Sequence, residues 1–244
     1  MRNIWIIARK EYKQYFISPI AYAVAFMLFL IIGIIFYANI QQAILQQGSS
    51  APGIDIVVGP MVTIFLFTTP AITMRMISEE NRSGTMELLL TAPIRDSELI
   101  VGKWLGGFLF ILTILIVTWI YPIVLNLLVK PGIDQGILIT GYLGLALLMA
   151  AILSIGVATS SFFSNQIAAF FACSGVLLIL WLINLPAQAT GETAGLLNYL
   201  ALSEHFYNTF LLGVIDLKDV IYYLSVTAVA LFLGTISIET RRWR

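Results

Sequence analysis

"PIAYAVAFMLFLIIGIIFY" runs from Pro19 to Tyr37 without an Asp, Glu, Lys or Arg. At about 1.5 Å per residue, a helix of this length comes close to the ~30 Å hydrocarbon thickness of a bilayer. The run is too long for the core of a typical signal peptide. It is followed by "NIQQAILQQ" rather than a small-residue cleavage site, so the reading predicts a retained span. Backbone groups in lipid must be satisfied internally, which makes a helix the expected form.

Outward from this stretch the same pattern recurs. Apolar blocks predict spans at roughly 19–40, 56–77, 102–129, 137–162, 166–185 and 219–238. They are long and do not alternate, which argues against barrel strands of ~10 residues. Composition agrees: the chain is 59% hydrophobic and 11% charged, with a mean hydropathy of +0.94. A soluble domain carries about 25% charged residues. The third and fourth blocks are overlong, so they tilt, kink or project, and Pro122 is the expected kink point. The expected fold is an all-α integral membrane protein with six transmembrane helices in one domain, 19–238.

Lys and Arg set the orientation. One set of flanks holds Arg2, Arg9, Lys10, Lys13, Arg75, Arg82, Arg95, Lys103, Arg241, Arg242 and Arg244; the other holds only Lys130 and Lys218. The positive-inside rule places the first set, both termini and the basic tail 239–244 in the cytoplasm. The net charge is zero, so no global field favours nucleic acid.

Residues 1–18 read as an amphipathic helix. Ile4, Trp5, Ala8, Tyr12, Tyr15 and Phe16 share one stripe, and Arg2, Asn3, Arg9, Lys10, Lys13 and Gln14 lie opposite. This pattern suits a helix at the lipid interface, or a basic flank that anchors topology. Ser18-Pro19 then makes a corner into the first span. In the fourth span Ala146, Ala150, Ser154 and Ala158 recur every four residues, as close helix packing in lipid requires. The external segment 186–218 holds two apolar pieces, Leu196–Leu202 and Phe206–Val214, too short to span and suited to short re-entrant or interfacial helices. Its lone His205 is read as solvated or interface-facing. The single cysteine, Cys173, lies in an apolar run and reads as a packed thiol.

Signatures of catalysis are absent. "GKWLGG" at 102–107 lacks the earlier glycine and the Ser or Thr of a Walker A loop. No H-E-x-x-H and no nucleophile elbow occurs. The spans offer almost no ionisable residue for a proton-coupled pathway. The energy source is therefore expected outside this polypeptide, and no cofactor is expected on it.

The exception to this apolarity is "SEENRSGTMELLLTAP" at 78–93, within the cytoplasmic loop 78–101. "SEEN" can extend the second span into water. Ser83-Gly84 interrupts it, and a short helix can restart with Ser83 or Thr85 as N-cap. Met86, Leu89 and Leu90 share one face, and Pro93 ends the piece. Asp96 can then cap the third span. Lipid, a partner's groove or the chain's own bundle could cover that face; its acidic neighbours favour a protein over anionic lipid.

These residues resemble the cytoplasmic signature of ABC-2-type transporter permeases. The likeness is carried by "ISPIAY" at 17–22, "PAITMRMISEENRSGTMELLLTAPI" at 70–94 and "VGKWLGG" at 101–107, and is closest to the gliding-motility-associated (GldF-like) group. The resemblance implies a non-catalytic permease subunit of an exporter in a prokaryotic inner membrane, paired with a second permease subunit as a homo- or heterodimer. ATP and Mg would sit on a separate ATPase. Glu79, Glu80, Arg82, Gly84, Thr85, Glu87, Leu88, Leu89 and Pro93 would form the coupling helix that docks on that ATPase, with Arg9, Lys10 and Glu11 of the N-terminal helix nearby. Two other classes stand beside this reading. Glu79-Glu80 with Arg82 superficially matches intramembrane glutamate proteases, but their spacing differs and partner groups within the spans are missing. A structural membrane subunit that moves nothing is the third.

Overall fold

The computed structural model describes residues 2–45, 52–86, 94–130, 132–185 and 194–242. Among the described residues every regular element is helical. In chain order these are α1 (Arg2–Ile17), α2 (Pro19–Leu45), α3 (Asp55–Thr73), α4 (Ser78–Ser83), α5 (Asp96–Thr118), α6 (Ile120–Leu128), α7 (Gln135–Phe162), α8 (Gln166–Leu182), α9 (Ala194–Leu200), α10 (Leu202–Tyr207) and α11 (Leu217–Arg242). A 3-10 turn, Phe210–Leu212, lies between α10 and α11.

Five helical stretches are long and apolar enough to cross a membrane: α2, α3 with α4, α5 with α6, α7, and α11. The block at 166–185 yields the shorter α8, of 17 residues. The overlong third block does break. The break falls at Trp119, three residues before Pro122. Pro122 has no N–H to give the Thr118 carbonyl, and its ring crowds that same carbonyl.

The longest helix, α7, is the axis of the bundle. It packs against α3, α5, α8 and α11, and its buried residues run from Leu138 to Ser161. Asp134 caps its start, accepting hydrogen bonds from the Gly136 and Ile137 amides. Small residues set its contacts: a Cβ on Gly156 would stand 2.3 Å from Thr73 Oγ1, and one on Gly144 would stand 2.4 Å from the Phe210 ring. In contrast α2 is an edge helix. It buries Leu28, Ile32 and Phe36 and leaves Phe26, Met27, Leu30, Ile34 and Tyr37 exposed.

Three local expectations change. First, α1 packs along α5 in parallel, from the Asn3–Glu98 hydrogen bond (3.0 Å) to the Tyr12–Thr113 hydroxyl contact (3.0 Å). The turned-in face carries Ile7, Ala8, Glu11 and Tyr15, whereas Trp5 is exposed. Second, Arg95 rather than Asp96 sits at the N-cap of α5, and the Glu98 carboxylate accepts the Arg95 amide at 3.2 Å. Third, His205 is buried, not solvated.

Candidate functional site

The charged groups of "SEENRSGTM" divide into two sets with different tasks. On α4, Glu79 and Arg82 point to solvent, as do Gly84 and Thr85 beyond it. Glu80 turns inward. Its Oε1 lies 2.9 Å from Lys103 Nζ, and Lys103 also donates to Glu11 Oε1 at 2.7 Å. Lys103 is 3% exposed. One ammonium on α5 therefore joins α1 to α4. A charge this deep is tolerated because it is paired and hydrogen-bonded.

Glycines make that contact possible. A Cβ on Gly102 would stand 2.8 Å from Ile7, and one on Gly106 would stand 2.6 Å from Glu11 Cβ and 2.9 Å from the Ala8 carbonyl. Only hydrogen at both positions lets α1 approach near enough for Glu11 to reach Lys103. Tyr15 completes the seam, stacked on Phe110 with centroids 4.6 Å apart. Burial, and secondarily the Glu11 carboxylate, hold its phenol well above the ordinary range.

Between α3 and α4 the chain bends. Ser160 of α7 holds the bend: its Oγ accepts from the Ile77 and Ser78 amides, both at 3.1 Å, and lies 3.3 Å from the Met74 carbonyl to which it donates. Gly84 closes α4 with φ +72°, the left-handed conformation that suits glycine at a helix end. Ser83 and Thr85 hydroxyls meet at 2.9 Å across it. Met86 is buried with Met76, Ile77, Leu99, Ile100 and Ile238, so this member of the expected apolar face is covered by the bundle itself. Glu87, Leu88, Leu89 and Pro93 lie outside the described residues.

On α1, Arg9 and Lys10 are exposed and Glu11 is turned away from them. Beside the triad a half-open cleft of about 320 Å³ is lined by Gln14, Tyr15, Arg75, Glu79 and Glu80, among others. Two polar atoms near it lack partners among the described residues: Glu80 Oε2 and Asn81 Nδ2 are buried and unbonded. No group of three or more potential metal ligands occurs among the described residues.

The sequence reading places Lys103 among the cytoplasmic flank cations and gives it no part in the site. The available signal was its setting: a lone cation inside "VGKWLGG", leading into an apolar run.

Long apolar helices around a central one, with a built polar end, define a multi-pass α-helical membrane protein. The chain belongs to the ABC-2 transporter family: the profile described as "ABC-2 family transporter protein" matches residues 5–240, nearly its whole length. Comparison with curated proteins returns no match. Family membership makes this chain a transporter membrane component, generally non-catalytic itself, and implies an ABC ATPase as partner.

Proposed function

We propose that the chain is the permease subunit of an ATP-driven exporter, moving its cargo when a separate ATPase subunit, holding ATP and Mg, closes against it. The observation that carries this reading is the division of the segment 78–86 into two rows. Its outer row, Glu79, Arg82 and Thr85, is free to meet a partner, while Glu80, Met86 and the Ser160 clamp fix its inner side to three other helices. An exposed row on a rigid backing is what force transfer between subunits requires. The unbonded Glu80 and Asn81 atoms lie in the same element, where each costs about 1–3 kcal/mol until satisfied.

The Lys and Arg distribution puts this end in the cytoplasm. Ile7 of α1 and Ile238 of α11 join one cluster, so both ends of the chain meet at one end of the bundle. That favours an even number of crossings. The sixth is α8, whose length falls at the lower limit of ~17 residues for a spanning helix. A second permease subunit covers part of the exposed apolar surface, the setting is a prokaryotic inner membrane, and the motifs at 17–22, 70–94 and 101–107 favour the gliding-motility-associated branch.

The test is co-purification with the cognate ATPase. Glu87→Ala with Leu89→Arg is expected to abolish complex formation and stimulated ATP hydrolysis. Survival of both would remove the docking assignment.

A further inference from the structure

His205 is the only histidine in the chain, and the end of the bundle remote from α4 is organised around it. Its ring stacks on Tyr222 of α11, with centroids 3.9 Å apart and planes 20° apart. Nδ1 lies 2.6 Å from Asp219 Oδ1, and Nε2 lies 2.7 Å from the Tyr199 carbonyl oxygen of α9. Asp219 is 1% exposed, and its Oδ2 has no partner among the described residues. Both ring nitrogens thus face oxygen acceptors.

A carbonyl has no proton to give, and neither has a carboxylate; neutral imidazole carries a single N–H. With Asp219 ionised, both contacts are satisfied only if the ring holds two N–H protons. A protonated Asp219 beside a neutral ring gives the same total, so the extra proton belongs to the pair. If it leaves, the remaining N–H stays on Nδ1, held by the carboxylate. The Nε2 lone pair then opposes the Tyr199 carbonyl, and that contact turns repulsive.

The geometry points to a proton-operated latch: a proton shared by His205 and Asp219 fastens α9 to α10 and α11, and its loss loosens α9, leaving the Tyr222–Leu200 hydrogen bond as the remaining tie. The other groups facing the ring do not replace this proton. Tyr222 and Tyr223 of α11 give their hydroxyl protons to the Leu200 and Leu202 carbonyls. Tyr199 meets the ring edge-on. Glu204 of α10 is engaged by Asn184 and Asn208, and Lys218 pairs with Asp216. Loss of the shared proton loosens the latch, so the direction is toward release as pH rises. The inference does not depend on the permease reading, which enters only in putting the latch on the outer face.

A lone histidine makes the test direct. The full chain, labelled with ¹⁵N-histidine and held in lipid nanodiscs without a histidine tag, gives one imidazole signal. Amide hydrogen exchange of residues 194–201 is followed in parallel between about pH 5.5 and about pH 8.5. The expected result is an N–H on Nε2 at the acid end that leaves that nitrogen as pH rises. Exchange of 194–201, corrected for its intrinsic pH dependence, rises roughly tenfold with the same midpoint, as loss of one hydrogen bond implies. His205→Ala should exchange fast at every pH; Asp219→Asn, whose amide can donate to Nδ1 and leave the ring N–H on Nε2, should exchange slowly at every pH. An Nε2 that is never protonated, an Nε2 that is protonated at every pH, or exchange that does not follow it would overturn the latch. If either variant fails to fold, the labelled native chain decides the matter alone.

Discussion

Lys103 shows what a single charge contributes when it is buried between two acids. Removing it leaves Glu11 and Glu80 facing each other with no cation between them. Lys103→Met is therefore expected to lower stability by about 3–5 kcal/mol. Glu80→Gln leaves one acid for one lysine and should cost less. Thermal unfolding of the purified chain ranks the two, and equal shifts would disprove the triad as a coupled unit. Nothing along the sequence joins these three residues: Glu11 and Lys103 are 92 positions apart. The sequence displays a lone Lys between Gly102 and Trp104 but not its partners, because helix packing brings the acids to it. His205 follows the same logic. A solitary histidine reads as solvated until Asp219, on another helix, closes over it.

At the scale of helices, hydrophobic length carried most of the reading, since lipid enforces helical backbone wherever apolar residues run long enough. The break in the third block was legible from Pro122 because its cause is local and covalent. The role of α1 was only half legible. Its apolar stripe is real, but periodicity cannot say how lipid and another helix divide it: α5 takes Ala8, Tyr12 and Tyr15, while Trp5 and Phe16 stay exposed. The glycines of "VGKWLGG" hold the answer, since they mark where a second backbone comes close. Gly106→Val should force α1 off α5, destabilising the chain by about 1–3 kcal/mol and exposing α1 to protease. Limited proteolysis checks this: unchanged protection of residues 2–17 would show that the seam tolerates the added bulk. Gly84→Ala is a different case. Nothing stands within 4 Å of the added Cβ, so its expected cost of about 1 kcal/mol comes from the backbone alone.

Across the whole molecule, the two ends of the bundle have distinct characters: a cationic end with α1 and α4, and an opposite end built from α9, α10 and the start of α11. Sidedness follows from this asymmetry and can be measured. In a Cys173→Ala background, cysteines placed at Thr85 and at Lys218 should react with an impermeant maleimide from opposite faces of the membrane. Reaction from the same face would contradict the proposed arrangement. The overall plan was visible in the sequence because it depends on averages of charge and hydropathy. Individual pairings escaped because they depend on which helices become neighbours. One hydroxyl illustrates how much such a neighbour can govern. The two amides at the bend before α4 end on Ser160, a residue of α7, and not on their own helix. So α4 cannot pivot on α3 without breaking hydrogen bonds to the central helix. Any displacement of α4 is therefore felt at α7 as well as at Lys103 of α5, and α7 is the helix that α3, α5, α8 and α11 share.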